Sequence, residues 1–125
     1  MTTLLRILDL AALPAATIPA PARAMARFSL FDWLACGSAG VGEPLARILR
    51  DMMAGEGGRP VASIFGGTAA PARAAALVNG ATSHALDYDD THFGHVGHPS
   101  VAIYPAALAV AEEIDAPPPL WPMRS

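Results

Sequence analysis

Apolar residues recur along this chain at intervals of three and four, and prolines and glycines separate the apolar stretches. This spacing places apolar side chains on one face of an α-helix, so the pattern predicts helices joined by turns. Residues 4–10 are predicted to form a short amphipathic helix. Pro14, Pro19 and Pro21 follow, and because proline interrupts helices they predict an extended linker.

Two further helices are predicted in the first half of the chain. Residues 22–39 form the longer one, and its three-residue spacing predicts an apolar stripe made of Met25, Phe28, Phe31 and Leu34. Residues 43–53 form the next helix, which ends at a cluster of glycines. Glutamate at its start suits the positive end of the helix dipole.

The second half of the chain predicts one short extended segment and two helices. Residues 61–65 suit a strand, residues 68–86 an alanine-rich helix, and residues 101–113 a final helix. Pro105 is compatible with this last helix only near its first turn. The fold class predicted from the pattern is therefore all-α, with at most one short extended segment.

The composition is unusually apolar for one domain of 125 residues, with 53% hydrophobic and 15% charged residues. About a quarter charged is usual. The helices therefore either pack heavily against one another or carry apolar faces that meet something else. The N-terminus lacks a signal-peptide pattern, and no apolar run is long enough for a membrane span. These features predict a cytoplasmic protein without a membrane partner.

Charge excludes some function classes. The net charge is −3, and all eight basic residues are arginines spread along the chain, so a nucleic-acid partner is not expected. The absence of lysine excludes Schiff-base chemistry by this chain. Cys36 is the sole cysteine, which excludes an internal disulfide and is typical of a small buried apolar side chain.

Titratable chemistry is concentrated in one polar segment, because all four histidines lie within residues 84–98. Carboxylates and imidazoles in such a segment suit general acid–base catalysis. Asp87 ends one predicted helix, His98 leads into the next, and Thr91 offers a hydroxyl donor between them. The N-terminus of the final helix offers free N–H groups that suit a substrate carboxylate.

A metal site is the second interpretation of this segment. His92, His95 and His98 recur every three residues and are possible ligands together with the nearby aspartates. Glycines and a proline surround them, however, and no known zinc-binding spacing is present. Metal binding is therefore the less favoured interpretation.

Each of these residues also has an ordinary structural explanation. Asp89 and Asp90 suit loop carboxylates that accept hydrogen bonds from backbone N–H groups. His92 and His95 suit exposed loop positions. His84 suits either a helical pair with Asp87, three residues later, or a hydrogen-bonded histidine of the core.

Several motifs resemble the MmgE/PrpD family over residues 4–114. They are AALVNG at 75–80, HALDYDDTH at 84–92, HPS at 98–100, PAALA at 105–109 and the earlier DWLACG at 32–37. The family includes 2-methylcitrate dehydratase, cis-aconitate decarboxylase and an iminodisuccinate epimerase. The resemblance implies a helical domain, homodimers, small polycarboxylate substrates, and no metal or organic cofactor. It also implies that Asp87, Thr91 and His98 line the active site.

The family's chains are several times longer, and the resemblance stops near residue 114. We therefore expect residues 1–114 to be part of the N-terminal helical domain, and residues 115–125 to be a divergent proline-rich tail. A truncated lyase of this kind is expected to be inactive or weakly active alone, and to expose apolar surface that promotes self-association. The alternatives are a small His/Asp metal-binding hydrolytic protein and a non-enzymatic helical interaction module.

Overall fold

The computed structural model of the protein describes residues 2–116, and within them five α-helices and one small hairpin form the fold. In chain order the elements are α1 (Thr3–Ala11), α2 (Ala20–Gly40), α3 (Pro44–Glu56), β1 (Ala62–Ser63), β2 (Ala69–Ala70), α4 (Ala72–His84) and α5 (Ser100–Glu113). A single 3-10 turn, Ala15–Thr17, lies in the linker before α2. The predicted helical class is confirmed. All but two residues of the predicted tail lie outside the described residues.

Proline and glycine set several of the helix boundaries. Pro21 and Pro44 lie in the first turns of α2 and α3, where a missing N–H costs no intrahelical bond. Gly57, with a φ of 70°, ends α3 in a conformation that L side chains rarely adopt. Pro105 falls in the sixth position of α5 rather than at its start, and it is buried there.

The alanine-rich stretch begins its helix later than predicted, because its first two alanines belong to a strand. Ala69 and Ala70 pair antiparallel with Ser63 and Ala62 respectively. The helix α4 then starts at Ala72. Pro71 accounts for the shift, since proline disfavours helical geometry in the residue before it but is compatible with the start of a helix.

Helix α4 is the centre of the fold and packs against α2, α3 and α5. The core around it is built mainly of alanines, namely Ala62, Ala70, Ala72, Ala75 and Ala109. Beside it, Trp33 of α2 lies between Phe65 and Tyr104, with ring centroids 5.0 and 5.9 Å away. Small side chains allow the helices to approach closely, and this brings the two ends of the polar segment together.

The predicted apolar stripe of α2 does not face this core. Met25, Phe28 and Phe31 are 64–70% exposed, whereas the buried residues of α2 are Trp33, Cys36, Gly37 and Gly40. Helix α1 buries none of its residues. The expected exposed apolar surface is therefore found on α1 and the first half of α2. Among residues 2–116, no helix combines the length and hydropathy that crossing a bilayer would require.

Cys36 should react slowly with iodoacetamide at neutral pH. Its side chain is only 4% exposed, and burial, followed by the charges of Asp32, Asp89 and Asp90, raises the pKa of the thiol. Because the thiolate is the reactive form, alkylation of the folded chain should be about 100-fold slower than in guanidinium chloride. Mass spectrometry against time measures both rates. Equal rates would show that Cys36 is accessible in the folded protein.

Candidate functional site

The polar segment between α4 and α5 is anchored by Asp90. Its backbone N–H donates to Asp32 Oδ2 of α2 at 3.0 Å. Its two carboxylate oxygens accept from Ser100, one from the backbone N–H at 3.1 Å and one from the hydroxyl at 2.6 Å. Asp90 thus joins the segment to α2 and to the start of α5.

This arrangement changes the expected role of the N-terminus of α5. The first N–H of the helix, which was expected to bind a substrate carboxylate, bonds the protein's own Asp90 instead. A charged acceptor is the favourable partner at a helix N-terminus, so the position is satisfied internally. The prediction that Asp90 accepts from backbone N–H groups is confirmed.

Replacing Asp90 with alanine should destabilise the fold by about 1–3 kcal/mol, because it leaves the N–H and hydroxyl of Ser100 buried without partners. Urea denaturation followed by circular dichroism measures the loss. Asp51→Ala, on the exposed face of α3, is the matched control and should stay within about 0.5 kcal/mol of the parent. Equal stabilities of the two variants would mean that the Asp90 bonds contribute nothing.

Asp89 is the buried centre of the segment, and its side chain is fully shielded from solvent. Its Oδ1 lies 2.8 Å from His84 Nδ1, and its Oδ2 lies 3.4 Å from His98 Nδ1. Its backbone oxygen also lies 3.1 Å from His98 Nδ1. The prediction that Asp89 bonds backbone N–H groups is therefore wrong, since the carboxylate faces two imidazoles.

Asp87 lies on the opposite side of the same two rings. Its Oδ1 is 3.7 Å from His98 Nε2 and 3.8 Å from His84 Nε2. Its backbone has a φ of 55°, in the left-handed region that aspartate tolerates better than most residues. The turn that begins here carries the chain away from α4 and leaves the Asp87 side chain 78% exposed.

Thr91 contacts this cluster of Asp87, Asp89 and the two histidines through the backbone of Asp89. Its hydroxyl donates to the backbone oxygen of Asp89 at 3.4 Å, the same oxygen that lies next to His98 Nδ1. The structure therefore brings Asp87 and His98 within 4 Å of each other and places Thr91 beside them around Asp89. These are the three residues that the sequence singled out.

The histidines proposed as a metal set do not converge in the described residues. His92 and His95 are exposed, and His92 Nδ1 accepts a hydrogen bond from the backbone N–H of His95 at 3.0 Å. His84, Asp89 and His98 are the residues whose ligand atoms do lie together, within 4.8 Å of one another. The site therefore contains His84 in place of His92 and His95.

The sequence explains His84 as a helical pair with Asp87 or a core histidine, and Asp89 as a loop carboxylate, and it predicts no contact between the two. The signal that could have found them is the spacing of HALDYD, because a histidine in the last turn of a helix can meet a carboxylate five residues later if a turn intervenes. An open groove of about 420 Å³ lies elsewhere, between α3 and the hairpin. It contains none of these titratable groups, so we locate the site by its converging chemistry.

Comparison with protein families identifies a match over most of the chain. Residues 10–118, which include every residue of the site, match the profile described as the MmgE/PrpD N-terminal domain. No curated protein matches the chain.

Proposed function

We propose that this chain, which belongs to the MmgE/PrpD family, supplies one wall of a cofactor-free lyase site for small polycarboxylates. The observation that supports this most directly is the placement of His98. Its Nδ1 lies against Asp89, and its Nε2 lies 3.7 Å from Asp87 Oδ1 on the open side of the segment. An imidazole held on one side and free on the other suits a general base.

The proposed reaction begins with transfer of a proton from the carbon next to a substrate carboxylate to His98 Nε2. The electron pair of the broken C–H bond moves onto the adjacent carboxyl group as an enolate-like charge. The Thr91 hydroxyl exchanges its 3.4 Å bond to the Asp89 backbone oxygen for one to the substrate, and Asp87 accepts or returns a proton at His98 Nε2. In dehydration the enolate-like charge expels a β-hydroxyl group, which leaves as water with the proton that His98 took up, and in epimerisation that proton returns to the other face. In decarboxylation the carbon–carboxylate bond breaks instead, its electron pair stays on the carbon, and the protonated His98 delivers a proton to that carbon.

Deuterium exchange tests this proposal, since it requires only the first step and not the complete reaction. The purified chain is incubated in D₂O with citrate, 2-methylcitrate or iminodisuccinate, and proton NMR follows loss of the signals next to the carboxylates. We expect slow exchange of at least one polycarboxylate above the buffer rate, and none of propionate. Buffer-rate exchange of every compound would overturn the proposal.

Self-association through the exposed apolar faces of α1 and α2 is a further part of the proposal. Leu4, Ile7, Leu8, Met25 and Phe28 are all more than half exposed, and such surface favours association between copies of a chain. Light scattering after size exclusion measures the mass. A monomer at all concentrations would exclude this part without affecting the proposed chemistry.

A further inference from the structure

We propose that His84 is a second imidazole of the site, and that Asp89 is the positioning residue that holds both His84 and His98 in the Nδ1–H tautomer. This deepens the proposed function, because it specifies which ring nitrogen of each histidine is free to act. It does not depend on which polycarboxylate binds.

The first step is the buried carboxylate. The Asp89 side chain has no solvent exposure, so its oxygens must find donors within the protein. Oδ1 has His84 Nδ1 at 2.8 Å, whereas Oδ2 has no hydrogen bond within ordinary limits and has His98 Nδ1 as its neighbour at 3.4 Å. An ionised carboxylate only accepts, so a ring nitrogen that bonds it must carry the hydrogen.

The second step concerns the backbone oxygen of Asp89, which requires a hydrogen on His98 Nδ1 as well. This oxygen also only accepts, and it lies 3.1 Å from His98 Nδ1. Both acceptors near His98 Nδ1 therefore require an Nδ1–H group. In a neutral imidazole this leaves the lone pair on Nε2.

The third step is the symmetry of the two rings. They meet edge to face with centroids 4.8 Å apart, and each presents Nδ1 to Asp89 and Nε2 to Asp87 Oδ1, at 3.8 Å for His84 and 3.7 Å for His98. Asp89 thus fixes two bases on the same side of the site, His84 through its carboxylate and His98 through its backbone oxygen. His84 is the more exposed of the two, with 43% of its side chain accessible against 25% for His98.

Long-range proton–nitrogen NMR of the ¹⁵N-labelled, EDTA-treated chain tests this directly, because it distinguishes the two tautomers of each neutral imidazole. Single His→Gln variants assign the four rings. We expect His84 and His98 to give Nδ1–H patterns. His92 is the internal control and should give the Nε2–H pattern, since its Nδ1 accepts from the His95 N–H.

Asp89→Asn provides the perturbation, with Asp51→Asn as the matched control on exposed α3. The first variant should lose the Nδ1–H pattern of His84, which depends on the carboxylate, and keep that of His98, whose Nδ1 still faces the backbone oxygen. The second variant should leave both patterns unchanged. If Asp89→Asn does not fold, the parent spectrum still decides: an Nε2–H pattern for either His84 or His98 overturns the proposal.

One-to-one binding of Zn²⁺ through both Nδ1 atoms would also overturn the proposal, because Asp89 would then be a metal ligand. None of these readouts requires turnover, so they can fail independently of the proposed function.

Discussion

Replacing His98 with glutamine should lower the rate of polycarboxylate deuterium exchange by about 100-fold or more. General acid–base catalysis by a positioned side chain contributes about 10²–10⁴ in rate, and glutamine can neither take up nor release a proton near neutral pH. Its length allows a bond to the Asp89 backbone oxygen to be retained, which limits the effect on the fold. Proton NMR of the exchanging substrate compares the variant with the parent at equal concentration.

His95→Gln is the matched control for this experiment. His95 lies in the same segment and is exposed. It bonds His92 through its backbone N–H, which the substitution leaves in place. Its exchange rate should remain that of the parent. If the two variants exchange equally fast, His98 does not carry the proton and the proposed chemistry is wrong.

Asp87 requires a different substitution for the same purpose. Its φ of 55° is tolerated by asparagine but strained for alanine, so Asp87→Asn removes the charge and leaves the turn in place. An alanine variant would combine loss of the carboxylate with loss of the turn. Of the two, the asparagine variant is therefore the one whose exchange rate reports on chemistry alone.

The helices could be predicted from the sequence because their boundaries depend on local rules. Pro21 and Pro44 mark first turns, and Gly57 marks an end, whatever lies around them. The start of α4 was predicted too early, because the pairing of Ala69 and Ala70 with β1 is a contact between separate parts of the chain. Alanine's helix propensity is too small to oppose such pairing.

The buried face of α2 shows where periodicity stops being informative. Met25, Phe28 and Phe31 share a face, as predicted, but periodicity does not say which partner a face meets. The buried face contains Gly37, which allows the Phe65 ring to lie close, and Gly40, which allows the α4 backbone at Thr82 to lie close. The stripe of large apolar residues is therefore the more visible signal in the sequence, but the face of α2 that packs combines Trp33 with Cys36 and the two glycines.

The sequence predicts which residues belong to the site better than it predicts how they are arranged. The sequence singles out Asp87, Thr91 and His98 together, on their place in one polar segment and on the resemblance. The central position of Asp89 depends on the turn at Asp87 and on the bond between the Asp90 N–H and Asp32, which lies 58 residues away in sequence. No local pattern encodes that bond, so the two-histidine arrangement emerges only in three dimensions.

Gly40→Ala should produce the largest loss of stability among single-methyl substitutions in the described core. A Cβ at this position would lie 2.1 Å from the backbone oxygen of Thr82, and backbone cannot rotate away as a side chain can. Overpacking of this kind costs about 1–3 kcal/mol, and alanine's better helix propensity returns at most about 1 kcal/mol. We expect a net loss of about 2 kcal/mol in urea denaturation.

Gly55→Ala is the matched control, because it adds the same methyl group to a helical glycine with nothing within 4 Å. Propensity alone then acts, and the variant should be up to about 1 kcal/mol more stable than the parent. Opposite signs for the two substitutions would identify the α2–α4 contact as the cause.

Since Thr82 lies two residues before His84, any relief of the Gly40→Ala clash by movement of α4 should also displace His84 from Asp89. Loss of the His84 Nδ1–H pattern in this variant would therefore connect the packing of α2 with the geometry of the site, whereas an unchanged pattern would show that α2 moves instead.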